Sequence, residues 1–243
     1  MKNIDNRLLS LSADLKNNFG AAAVKVSFED EGSSFEEALY FKRLAEASGL
    51  KFIVKTGGGS AAGDMRFLQK NGIKSIAAPM IESVYAAEKF LDTAEKIFST
   101  DAELYITIET LQALRAADDI LKSDFQGVIF GRSDFACSMG LKNSECAEIL
   151  DAAVSLSKKA QKHNKKFITG GAICPESVPF LKQIPYLSKF ETRKIVFDAE
   201  KALRTNTKEG ILKALEFEML YLESSRCFGA EERIKVLKKR LNA

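Results

Sequence analysis

Short apolar runs alternate along this chain with longer stretches in which apolar residues recur every three or four positions. The runs at 21–28, 51–56, 75–78, 104–110, 127–134 and 166–169 read as strands, and a last one lies within 186–197. The stretches at 35–48, 61–71, 84–98, 111–122, 146–163 and 175–182 carry helical spacing. Such alternation predicts an α/β fold with a largely parallel sheet and covering helices. Seven strands are counted, one fewer than a closed eight-stranded barrel needs. The first twenty residues read as a helix, with Leu8, Leu9, Leu11 and Leu15 on one face, and the tail from Lys208 onward is helical as well. The expectation is a TIM-like (β/α) barrel modified at its N-terminus, its core at 21–197, with C-terminal helices at 207–243. The whole of 1–243 is read as one domain, a common size for that fold. A doubly wound open sheet is the alternative. Its nucleotide fingerprint is missing, because Gly57, Gly58 and Gly59 fit neither Gly-x-Gly-x-x-Gly nor Gly-x-x-x-x-Gly-Lys-Ser.

Composition narrows the function. Hydrophobic residues make up 46% and charged residues 28%, as in an ordinary globular protein. With 36 basic and 33 acidic residues the net charge is +3, too balanced to argue for nucleic acid or a membrane surface. The basic segment from Arg233 to Arg240 reads as the solvated face of a terminal helix. Cys137, Cys146, Cys174 and Cys227 lack metal spacing and read as free thiols in a reducing compartment. No run reaches the roughly 18 apolar residues of a membrane span, so the expected location is cytoplasmic.

Two carboxylates close consecutive strand-like runs, Glu109 the first and Asp134 the second. Successive βα units of a barrel deliver both to the rim where barrel enzymes work. Paired oxygen ligands there suit a hard divalent cation, while capping of the following helices is the plainer role. Glu29, Asp30 and Glu31 stand in a row and repel one another unless a cation or a task holds them. Lys55 ends a strand and precedes Thr56 and the glycines 57–59, which let backbone approach an anion. It can neutralise substrate charge or act as a Schiff-base nucleophile. Glu191 and Arg193 share one side of the last strand region, as an internal salt bridge or as substrate contacts, and Gly170 and Gly171 leave room beside them. Arg132 can point at an anion or lie at the surface. His163, the single histidine, sits at a helix end, leaving carboxylates, a lysine or metal-bound water to move protons.

Three segments resemble one family. Ile76-Ala77-Ala78-Pro79-Met80 is similar to an apolar strand ending in Pro-Met, Ile106-Thr107-Ile108-Glu109-Thr110 to an Ile-Glu-Thr segment, and Val128 to Gly140 to the segment bearing a second acid. Over roughly 24–197 the chain resembles the superfamily of 2-oxo-acid aldolases of the 2,4-dihydroxyhept-2-ene-dioate type and the citrate lyase beta subunit. The resemblance implies a modified TIM barrel and a carbon–carbon lyase acting on a 2-oxo acid or an acyl thioester. It implies Mg2+, Mn2+ or another divalent ion held by Glu109 and Asp134, and a homo-oligomer. Lys55 stands where relatives usually carry Arg, which keeps the charge and loses the two-pronged fork. The histidine that such aldolases often place in the first strand is missing. The expected roles are Lys55 for substrate charge, Glu29 or Asp30 for proton transfer, and Gly57, Gly58, Gly59, Arg132, Glu191 and Arg193 for substrate binding. The rivals are a non-catalytic ligand-binding or assembly protein on the same barrel, and a phosphate-handling barrel enzyme.

Overall fold

The computed structural model describes residues 2–99, 101–224 and 230–241. Within them the apolar runs become β1 (Ala21–Ser27), β2 (Lys51–Lys55), β3 (Ser75–Ala78), β4 (Glu103–Ile108), β5 (Gly127–Gly131), β6 (Lys166–Gly170), β7 (Leu187–Glu191) and β8 (Ile195–Asp198). They close a barrel in chain order. Neighbours from β1 to β7 pair in parallel, whereas β8 is antiparallel to both β7 and β1.

The eighth strand corrects the count of seven. The stretch 186–197 holds two strands joined by Thr192, Arg193 and Lys194. A parallel return needs a crossover of a dozen or more residues, so three residues can only make a hairpin. Thr192 closes it: its N–H donates to the Ile195 carbonyl at 2.9 Å, and its hydroxyl accepts from the Ile195 N–H at 3.2 Å.

The helices are α1 (Lys2–Phe19), α2 (Phe35–Ser48), α3 (Ala62–Lys70), α4 (Val84–Phe98), α5 (Leu111–Arg115), α6 (Ala117–Ile120), α7 (Arg132–Ser138), α8 (Ala147–Lys162), α9 (Val178–Lys182), α10 (Ala199–Ala202), α11 (Thr207–Ser224) and α12 (Ala230–Leu241). The expected helix at 111–122 is thus two short ones, and a 3-10 turn at Pro175–Ser177 precedes α9. Capping sets several starts. Ser34 and Glu37 form a reciprocal capping box on α2, and the Ser83 hydroxyl accepts from the Ala86 N–H on α4.

Helix α1 buries Leu8, Ser12, Leu15 and Phe19, spaced four, three and four apart, with Leu9 and Leu11 only partly covered. Ser12 is tolerated there because its hydroxyl donates to the Leu8 carbonyl at 2.7 Å. This face packs along α11, so the two terminal segments form one wall outside the barrel. Inside, Ala23, Ile53 and Val196 make one apolar cluster, and Ala77, Tyr105, Ile129 and Ile168 another. The charged groups Lys25, Lys55, Glu109 and Glu191 face the mouth, where β1 to β7 end. Cys137, Cys146 and Cys174 are free thiols, and Cys227 lies outside the described residues. No described helix is long and apolar enough to cross a membrane.

Leu15 is fully buried between these layers. Leu15→Ala is expected to cost about 3 kcal/mol of stability, read as a lowered denaturant midpoint.

Candidate active site

The strand ends place Lys25, Lys55, Glu109 and Glu191 around a cavity of about 260 Å³, which Asp30, Asp134 and Arg193 also line. Two glycines make the room. A Cβ on Gly131 would lie 2.8 Å from Glu109 Cγ, and one on Gly170 would lie 2.7 Å from Glu191 Cγ. Each carboxylate therefore occupies space that any larger residue in the adjacent strand would fill.

Lys55 is buried, with Nζ 2.8 Å from Glu29 Oε2 and 3.1 Å from Glu109 Oε1. Burial pulls its pKa down, but Glu109, Glu29 and Asp30 outweigh that and hold the ammonium protonated above its ordinary range. Glu109 moves the other way: burial pushes its carboxyl up, Lys55 opposes this and Asp134 adds to it. Asp134 is also pushed up, first by partial withdrawal from solvent and then, against Lys55, by Asp30 and Glu29. For Asp30 burial is outweighed by the Ser27 hydroxyl and by Lys55, Lys25 and Arg193, so its carboxyl sits below the usual range.

The plainer roles of the two acids are filled by other residues. Thr110 is the N-cap of α5, its hydroxyl accepting from the Ala113 N–H at 3.1 Å, so Glu109 caps nothing. Asp134 belongs to α7, because the strand predicted at 127–134 ends at Gly131, and α7 has no side-chain cap. Asp134 has no hydrogen bond or ion pair among the described residues. Oxygen donors of this kind fit a hard divalent cation, and Glu109 and Asp134 are the groups that could hold one. No group of three or more His, Cys, Asp or Glu able to bind a metal occurs among the described residues. Two carboxylates with the other positions left to water and substrate is an ordinary magnesium arrangement.

The acids at 29–31 divide their work. Glu29 reaches Lys55 and Asp30 lines the cavity. Glu31 turns inward, pairs with Lys194 and lies 3.4 Å from Arg193 Nε. Arg193 also donates to the Asp30 carbonyl at 3.1 Å, so the β7–β8 turn clamps the end of β1. Glu191 pairs with Lys25, an internal ion pair facing the cavity.

Several predicted residues are placed elsewhere. Arg132 is fully buried and does not line the cavity. Its guanidinium donates to the Gly171 carbonyl at 2.7 Å and to Glu145 at 2.9 Å, and lies 4.6 Å from the Phe180 ring centroid. It holds the loop after β6 in place. Gly57, Gly58 and Gly59 do not line the cavity either, and the Gly57 N–H donates to Asp64 Oδ2 at 2.8 Å, where an anion would have bound. His163 is the C-cap of α8, at the opposite end of the barrel. The terminal basic segment is only partly a solvated face. Arg233 forks onto buried Glu218 at 2.6 and 2.8 Å, and both Arg233 and Arg240 line the cavity. Lys25 and these arginines were not singled out from sequence. Residues 230, 233, 237 and 240 recur at helical spacing, which marks one face and is the signal that was there to be found.

Residues 45–170, just over half of the chain, match the model of the HpcH/HpaI aldolase/citrate lyase family. The chain belongs to that family. It is an enzyme of the carbon–carbon lyase class, and members of the family generally depend on a divalent metal ion. The matched part contains Lys55, Glu109 and Asp134, while the acids at 29–31, the β7–β8 hairpin and α12 lie outside it. No curated protein matches the chain. Among solved structures, it is similar to an HpcH/HpaI aldolase from Desulfitobacterium hafniense DCB-2, at 16% identity over 89% of this chain and 90% of that one, with a TM-score of 0.64. A family protein from Burkholderia cenocepacia J2315 shares 12% identity over 77% and 82%, with a TM-score of 0.64. Macrophomate synthase shares 14% over 77% and 82%, with a TM-score of 0.53. At these identities the likeness establishes the fold.

Removing Lys194 leaves buried Glu31, whose carboxyl burial already pushes up, with only the longer contact to Arg193. Lys194→Ala is expected to cost about 3 kcal/mol near neutral pH. The deficit against the parent should shrink on acidification, because protonating Glu31 removes the under-compensated charge. Thermal melts of both proteins across pH check this.

Proposed function

We propose that the chain is a divalent-metal-dependent aldolase or lyase acting on a 2-oxo acid, with all of 1–243 working as one domain. The observation that carries this reading is Asp134: a carboxylate at the barrel mouth with no partner, next to a second acid whose pKa it raises. Glu109 and Asp134 would hold the ion. When bound, a divalent cation supplies Lewis-acid stabilisation of the enolate that forms as the neighbouring carbon–carbon bond breaks.

The chain's own groups do the remaining work. Lys55, held protonated between Glu29 and Glu109, meets the negative charge of the substrate carboxylate. Its raised pKa argues against a Schiff-base role, which needs a neutral amine. Asp30 lines the cavity and is the carboxylate placed to exchange a proton there, while Glu29 fixes Lys55. Glu191 and Lys25 neutralise each other and form a polar wall beside the substrate. The glycine loop lies outside the cavity and an acid, Asp64, takes the Gly57 N–H, which speaks against a phosphate site there.

Proton NMR of pyruvate in deuterated buffer tests the reading. Methyl deuteration is expected only with both protein and Mg2+ or Mn2+, falling by at least about a hundredfold in Glu109→Gln and in Asp134→Asn while the fold is retained. Full exchange without metal, or in either variant, would sink it. In a separate test, borohydride added with pyruvate should leave the mass of the protein unchanged. A reduced pyruvyl adduct on Lys55 would establish the Schiff-base route instead.

A further inference from the structure

The ions lining the cavity pair off with few exceptions. Lys25 meets Glu191, Lys55 meets Glu29 and Glu109, Arg193 meets Asp30 and Glu31, and Arg233 meets Glu218. Two lining groups stay without an ion-pair or hydrogen-bond partner among the described residues: Asp134 and Arg240. One is an anion on the barrel rim. The other is a cation on α12, brought to the same cavity from the far end of the chain.

Arg240 is not there by accident of a frayed end. Ala230 and Leu237 are buried, so residues 230, 233, 237 and 240 form the inward face of α12. Lys235, Lys238 and Lys239 fall on the exposed side. Arg240 is partly buried, and burial, then the charge of Arg233, lowers its pKa despite Cys174 and Glu218. Withdrawing an unpaired guanidinium from water is unfavourable unless something else meets its charge. Arg233 cannot release its fork to do so, since Glu218 occupies it.

We propose that Arg240, with Arg233 beside it, forms an anion subsite that selects substrates bearing a second carboxylate at the end remote from the 2-oxo acid. The cavity of about 260 Å³ then holds a small dianion, its 2-oxo-acid end toward Asp134 and Lys55 and its far carboxylate toward α12. This assignment of ends rests on the 2-oxo-acid reading above. The selection itself does not need turnover to be seen.

The test uses 2-oxoglutarate and 2-oxovalerate, which share a carbon skeleton length and differ in the terminal carboxylate. Isothermal titration with Mg2+ present is expected to show 2-oxoglutarate binding on the order of tenfold or more tighter, the worth of one charge-assisted hydrogen bond. In Arg240→Ala that ratio should fall to near one, and in Arg240→Lys it should be partly restored. Lys238→Ala, on the exposed side of the same helix, should keep the parent ratio. Equal binding of the two acids, no binding of either, or an unchanged ratio in Arg240→Ala would overturn the proposal. If pyruvate exchange fails while the Arg240-dependent ratio is found, the metal-enolate reading falls and the subsite stands.

Discussion

The mouth of this barrel depends on the ammonium of Lys55. Glu29, Asp30, Glu109 and Asp134 gather around it, three of them exposed at the mouth and Glu109 buried beneath, and their like charges repel one another. One cation shared between Glu29 and Glu109 makes the cluster tolerable and leaves negative charge in excess. That excess is what a divalent ion would use. Lysine rather than arginine at this position also matters, because a compact ammonium on a flexible stem can shift between partners, whereas a planar guanidinium is fixed by its fork.

Around this centre the fold supplies space and stiffness. The glycines at the ends of β5 and β6 let the acids of neighbouring strands lie inside the barrel. Buried Arg132 ties the loop after β6 to Glu145 and the Phe180 ring, so one wall of the cavity is held by bonds that never reach the substrate. The hairpin residues Arg193 and Lys194 brace the acids after β1 from the opposite side.

Much of this could be read before any coordinates. Periodicity located the strands and the helices, and the acids at 109 and 134 stood out because each followed an apolar run. What stayed hidden involved partners distant in sequence. Arg132 could be read as a substrate ligand, since nothing local reveals that the carbonyl of Gly171 would meet it. The glycines at 57–59 suggested an anion site, but Asp64, seven residues on in the first turn of α3, satisfies the Gly57 N–H. The stretch 186–197 reads as one strand because nothing local marks a turn at Thr192, Arg193 and Lys194, and the antiparallel pairing of β8 with β7 and β1 separates the two halves. Arg240 carried a helical periodicity that was visible, yet the surface it would face was not.

The reversed direction of β8 has a topological result. In a barrel with eight parallel strands the last strand climbs to the mouth, and the helix after it descends to the opposite end. Here β8 descends, so the chain reaches the floor one element early. The next long helix, α11, starts beside Phe19 at that floor and climbs until Tyr221 lies near Lys194 at the mouth. Turning one strand over has thus exchanged the two ends of the barrel for everything downstream, and the C-terminal helix is delivered to the side where the chemistry is. In such a molecule α12 forms part of the chamber wall, and its inward face is as much a part of the mouth as the strand ends are.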